Sequence, residues 1–417
     1  MPPWEVIKMA SRNGLSKERP QVAFVSTYPP TECGLATFTQ DVLEAVERQG
    51  WDGVVVSADH ESLIEHPDPR VIYQLRREEV EDYIEAARLL NRSEVRVVSL
   101  QHEYGIFGGE MGAHVLHFLE HLRVPVVTTL HTVVPRPSEP MREILQAIVR
   151  ASDAVVVMAG TAVRLLDTVY NAPTRHVSVI PHGAPEPLPI TPNEAKARIG
   201  MSGRTVLSTF GLVSRGKGIE DVIRALPAVV EQFPNLVYMV LGETHPKVRA
   251  KEGEVYREFL MQEAERLGVQ EHVVFVNRYL TLDDIRLYLR ATDIYITPYL
   301  NPDQITSGTL AYAIAAGCVV ISTPYLYARE VLADGGGMLA QFQNPSSIAD
   351  AMLQLLSDPV LMRYHKLVAQ RKAAGLSWNR VGQAYANLFD RVGRDVALPY
   401  GVVQPALGSY LESQRAG

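Results

Sequence analysis

The chain is short of cysteine, of net positive charge and of long apolar runs, and each shortage removes a class of protein. Two cysteines, Cys33 and Cys318, serve 417 residues. They cannot build a disulfide scaffold, and no spacing suits a four-ligand zinc site; they read as reduced thiols of a cytoplasmic protein. Basic residues number 40 against 47 acidic, a formal net charge of -7. That argues against a nucleic-acid partner, which asks for a basic excess or stripe, and leaves room for a local basic pocket. The longest apolar runs, such as residues 311–322, contain Gly317 and fall short of a span of about 20 residues. No transmembrane helix is expected, and peripheral membrane contact stays open. The start Met1-Pro2-Pro3-Trp4 lacks the basic stretch and apolar core of a signal peptide. Missing too are G-x-G-x-x-G, which disfavours a nicotinamide dinucleotide, and the P-loop pattern, because Lys217 is followed by Gly218.

What is present is globular. Apolar residues make up 47% and charged residues 21%, and the length suits two or three domains. Short β-branched runs at 22–26, 54–57, 95–100, 125–130, 154–158 and 177–180 read as strands, with helical periodicity between them, as at 79–90 and 142–150. Near-continuous apolar strands alternating with helices predict a doubly wound parallel sheet. The proline-rich run Ile180 to Pro189 reads as a linker. The pattern then restarts, with strands at 206–210, 237–241, 273–276, 294–297 and 319–322. Helical patterns at 348–356 and 361–373 follow, and Ser377-Trp378 opens a last helix through Val392. The expected division is therefore an α/β domain over 1–185, a second over 186–376, and a helix with tail over 377–417. The ends, residues 1–19 and those after Asp395, read as loosely held.

In an open parallel sheet, ligands bind beyond the carboxyl ends of the strands. The first strand runs into Tyr28-Pro29-Pro30-Thr31-Glu32-Cys33-Gly34, with a helix beginning near Gly34. Amides at such a start suit an anion, and glycine lets it come close; a plain strand-to-helix turn fits as well. Two further strands end in histidine, one as Gln101-His102-Glu103 and one as Leu130-His131-Thr132. Imidazoles there can donate to a hydroxyl or carbonyl; with no close third ligand, a metal site is not expected. The second half opens on Phe210-Gly211-Leu212-Val213-Ser214-Arg215-Gly216-Lys217-Gly218. Its small residues and two cations suit a pyrophosphate; the alternative is a solvated loop, and the position at a strand end favours function. Further on, Ser307-Gly308-Thr309 opens a helix and supplies hydroxyls and amides at its positive end, either for an anion or simply as a cap.

These residues, in this order, resemble the GT-B glycosyltransferases of family 4, especially the mannosyltransferase-like branch. Gly211 through Lys217-Gly218 sits where that family has its Gly-Arg-Leu…Lys-Gly loop. Ala313-Ile314-Ala315-Ala316-Gly317 resembles its Glu-Ala-x-Ala-x-Gly helix, Val179-Ile180-Pro181-His182-Gly183 its linker, and Ser377-Trp378 the start of its returning helix. The resemblance covers about residues 21–392. It implies two Rossmann-like domains facing across a cleft, and retaining, metal-independent transfer of mannose or glucose from GDP- or UDP-hexose to a carbohydrate or other hydroxyl acceptor, with no cofactor. By position, Lys217 would hold the donor diphosphate, His131 would contact the donor sugar, and Gly34 would admit acceptor or phosphate. Gly211, Ser307, Gly308 and Thr309 would line the donor.

Three positions depart from the family. Its arginine after the glycine is Leu212, which leaves Arg215 to replace it. Its two glutamates fall on Gln304, which keeps hydrogen bonding for the sugar but not charge, and on Tyr312, a weak substitute at the ribose. These departures keep two other readings in play: a sugar phosphorylase on the same fold, using phosphate and no nucleotide, and a catalytically inactive sugar- or nucleotide-binding homologue. His102 and Glu103 complete the candidates.

Overall fold

The computed structural model describes residues 19–60 and 65–395. The expectation of loosely held ends therefore concerns residues outside those described, Arg19 excepted. The described residues divide into two compact units, one of residues 19–60, 65–181 and 378–395 and one of residues 182–377.

The first unit holds strands β1 (Gln21–Ser26), β2 (Asp52–His60), β3 (Val71–Arg76), β4 (Val95–His102), β5 (Val126–Leu130), β6 (Ala154–Val157) and β7 (Val177–Val179). All pair in parallel, in the order β3-β2-β1-β4-β5-β6-β7. The second unit holds β8 (Thr205–Phe210), β9 (Leu236–Leu241), β10 (Val273–Val276), β11 (Ile294–Thr297), β12 (Val319–Ser322) and β13 (Gly337–Leu339). Their order, β10-β9-β8-β11-β12-β13, is again all parallel. Each sheet winds outward from its first strand and reverses beside the fourth, so a crevice opens between β1 and β4 in one unit and between β8 and β11 in the other.

Apolar periodicity sets how helices cover these sheets. In helix Ile219–Val230, residues Ile219, Val222, Ile223, Leu226 and Val229 recur at three and four and are all buried. Strands β3 and β13 carry no continuous apolar run. Both are edge strands, β3 half-buried along most of its length and β13 only three residues long.

The boundary falls at Pro181/His182, four residues before the expected one. Ala184 belongs to the second unit: its N–H donates to the Leu376 carbonyl at 2.7 Å, it bridges Ser377, and its side chain is buried in that unit's core. The helix Trp378–Asp395 packs in the first unit. Trp378, Val381, Tyr385, Leu388, Phe389 and Val392 share one core with Phe24, Phe38 and Trp51. The Trp378 ring meets Phe38 edge-on at 5.5 Å, and the Tyr385 hydroxyl lies 3.0 Å from Thr129 Oγ1.

That helix crosses so closely that a Cβ on Gly382 would lie 2.5 Å from the Ala45 carbonyl oxygen. Gly382→Ala is expected to cost about 1–3 kcal/mol through overpacking and to lower the thermal midpoint. Gly375, also helical, has open space where its Cβ would go, so Gly375→Ala is expected to keep or raise the midpoint. Equal shifts in calorimetry would contradict the close crossing.

Candidate active site

In the first unit, the crevice is reached from β1, β4 and β5. After β1, the chain turns into helix Gly34–Glu47, whose start is capped by Cys33: Sγ accepts from the Ala36 N–H at 3.3 Å. Gly34 is exposed, with open space where a Cβ would stand. A ligand can therefore approach the backbone there.

Alternation of side chains along β4 separates neighbours. Gln101 Oε1 lies 3.0 Å from His131 Nε2, just beyond β5, and the Phe38 ring meets the imidazole edge-on at 4.8 Å. A carboxamide oxygen only accepts, so Nε2 donates and the His131 tautomer is fixed. Glu103 accepts from the Thr132 hydroxyl, and burial pushes its carboxyl above the ordinary range. His102, on the opposite side of the strand, has no exposure at all. Phe107 stacks on its ring at 6.3 Å and neither ring nitrogen has a hydrogen-bond partner. It belongs to the interior and does not line the site, contrary to expectation.

In the second unit, the loop after β8 lies on the loop after β11. Gly218 takes a left-handed φ of 64°, and a Cβ there would fall 2.2 Å from the Pro298 carbonyl oxygen. The Leu300 N–H donates to the Gly216 carbonyl at 3.0 Å. Lys217 Nζ thereby sits 3.9 Å from the centre of the Tyr299 ring, an ammonium over an aromatic face. The Tyr299 hydroxyl lies 2.7 Å from Thr309 Oγ1, which lies 3.2 Å from Ser307 Oγ. Ser307 caps helix Gly308–Ala315, accepting from the Leu310 N–H at 3.3 Å. A Cβ on Gly211 would touch Thr309 Cγ2 at 3.5 Å. Gly211, Lys217, Ser307, Gly308 and Thr309 thus converge on one place.

Three expected members do not. Arg215 is exposed and turns away: its Nε lies 3.8 Å from Glu252 and its guanidinium 5.2 Å from the Tyr256 ring centre. Gln304 is tied back to its own loop, Nε2 donating to the Thr306 carbonyl at 3.0 Å. Tyr312, only 8% exposed, packs in the core against Phe210 at 6.1 Å and His182 at 6.0 Å. Two residues escaped the sequence reading. Tyr299, the seat of Lys217, lies between the strand at 294–297 and Ser307, and nothing in the sequence marks it. His182 was read only as linker; a Cβ on Gly308 would lie 2.8 Å from its Nε2, and burial pushes its imidazole down to about 4.

Comparison with known proteins supplies the family. The description "Glycosyltransferase Family 4" matches residues 33–186, and "Glycosyl transferases group 1" matches residues 204–358. The chain belongs to the GT-B glycosyltransferases of family 4. The D-inositol 3-phosphate glycosyltransferase of Nocardiopsis dassonvillei is 28% identical over 305 residues, 66% of this chain and 67% of that one. The phosphatidyl-myo-inositol mannosyltransferase of Mycobacterium leprae is 25% identical over 194 residues, 46% of this chain and 47% of that one. In fold, this glycosyltransferase resembles sucrose-phosphate synthase from Thermosynechococcus elongatus, with a TM-score of 0.71 over 90% of this chain and all of that one, at 16% identity. No helix among the described residues is long and apolar enough to cross a membrane.

The buried imidazoles of the glycosyltransferase are expected to make it acid-sensitive. Burial pushes His102 down to about 3, against about 6.5 in an unfolded chain. Between those values the unfolded chain binds the extra proton, so stability falls as pH drops from about 6.5 toward 3. His102→Phe is expected to lose less urea resistance than the parent between pH 7 and pH 4.5. His182 acts in the same direction, so some sensitivity remains. Parallel losses in the two proteins would remove His102 from this role.

Proposed function

We propose that this glycosyltransferase moves a hexosyl group, mannose or glucose, from a GDP- or UDP-hexose to a hydroxyl of a carbohydrate or other acceptor, with retention and without a metal ion. The observation that carries the proposal is the seating of Lys217 on Tyr299, whose hydroxyl leads through Thr309 to the capped amino end of helix Gly308–Ala315. A diphosphate leaving group gathers negative charge as its bond to the anomeric carbon breaks. Lys217 and the helix's amino end meet that charge in a fixed frame, and one such preorganised donor is worth about 3 kcal/mol. The departing phosphate oxygen takes the acceptor's proton while the acceptor oxygen bonds to the same face of the sugar. No pair of carboxylates of the hydrolase kind is then required. In the first unit, we assign His131 to the donor sugar and the open backbone at Gly34 to the acceptor or a phosphate. The two free thiols, Cys33 and Cys318, fit a cytoplasmic protein.

One observation favours a second reading. Tyr312 stands where the family places its ribose-binding glutamate, and its ring is buried against Phe210 and His182. A phosphorylase that binds phosphate and no nucleoside needs nothing at that position. Calorimetry with UDP, GDP and inorganic phosphate separates the readings: nucleotide binding supports the transferase, and binding of phosphate alone supports the phosphorylase. On the transferase reading, Lys217→Ala is expected to cut turnover at least about 100-fold. Near-normal turnover would release Lys217 from its role.

A further inference from the structure

The strand pairing of the second unit continues past its strands. The Gly211 N–H donates to the Leu241 carbonyl at 2.9 Å, the Val213 N–H to Glu243 at 2.8 Å, and the His245 N–H to Val213 at 3.0 Å. Val213 and Thr244 form a parallel bridge. A Cβ on Gly242 would lie 2.3 Å from the Gly211 carbonyl oxygen, so the two chains run in direct contact. His245 is therefore delivered beside the loop that carries Lys217.

We propose that His245, with Lys247 next to it, is a further anion-binding group of the donor site, donating from Nε2 to a phosphoryl group that Lys217 also holds. This rests on the reading of that site as a phosphoryl-binding one. The ring's protonation follows from its hydrogen bond. Nδ1 accepts from the Lys247 N–H at 3.2 Å, so the neutral imidazole carries its hydrogen on Nε2. Burial, then the charges of Lys247 and Lys217, hold the imidazole below its ordinary range.

The acids around this cluster are engaged elsewhere. Glu243 pairs with Arg249 at 3.0 Å, Glu252 lies 3.8 Å from Arg215, and Glu254 pairs with Arg257 at 3.1 Å. Glu220 accepts from the Tyr256 hydroxyl. Among the described residues, neither Lys217 nor Lys247 has a carboxylate partner. Two lysines without a carboxylate partner and an imidazole donor form a set that an anion completes.

The test is calorimetric titration of UDP, GDP and inorganic pyrophosphate into the whole protein and four variants. For the tightest of the three probes, His245→Phe is expected to weaken binding about ten-fold, the scale of one lost hydrogen bond to a charged group. His245→Gln, which keeps a neutral donor, is expected to return within about three-fold of the parent. Lys247 is exposed, so Lys247→Met remains informative even if His245→Phe does not fold; it too is expected to weaken binding, by about three-fold. Lys217→Ala reports on the site itself. If Lys217→Ala loses binding while His245→Phe and Lys247→Met keep it, the inference is overturned and the site stands. If Lys217→Ala binds normally, or the parent binds none of the probes, the reading of the site fails and takes this inference with it.

Discussion

The second unit's site depends on a place where no side chain fits. Gly218 must lie against the Pro298 carbonyl for the loop after β8 to reach the loop after β11. Any other residue would need to occupy space 2.2 Å from that oxygen and to hold a left-handed backbone. Because the approach is made, Lys217 rests on Tyr299, and Tyr299 reaches Thr309 and the helix cap. Neighbouring strands make the approach possible. With β8 beside β11 in the sheet, the two loops leave from the same reversal point, although about ninety residues separate them in sequence.

Much of this was legible because it is periodic or conformational. Continuous apolar runs gave eleven strands, and the run of small residues Ser307-Gly308-Thr309 marked a helix start. The edge strands β3 and β13 escaped because an edge needs no continuous apolar run. The fates of particular polar side chains were not legible at all. Arg215 and Lys217 stand two residues apart in one 3-10 turn, yet one goes to Glu252 and Tyr256 and the other to Tyr299. What separates them lies far along the chain, 37 residues from Arg215 to Glu252 and 82 from Lys217 to Tyr299. His102 and His131 looked alike as strand-end histidines. Phe107 closes over the first, and Gln101 takes up the second. Tyr312 likewise kept its place in the motif while its ring went to the core.

The two units handle polar chemistry differently. In the first, the groups at the strand ends stand in hydrogen-bonded pairs, Gln101 with His131 and Glu103 with Thr132. Such pairs fix the orientation of the side chains. In the second, Glu243, Glu252 and Glu254 lie against arginines and Glu220 accepts from Tyr256, while Lys217 rests on an aromatic face.

The packing of helix Trp378–Asp395 into the first unit's core also bears on how the molecule is made. Residues 182–377 leave the ribosome as one continuous stretch and can fold as soon as that stretch is out. The earlier-made unit lacks Trp378, Tyr385 and Phe389 until residues 182–377 have been made, so its apolar face waits uncovered behind a younger neighbour. Birth order and order of completion are thus reversed, and a chain cut short before its last helix strands the amino-terminal half with an open core.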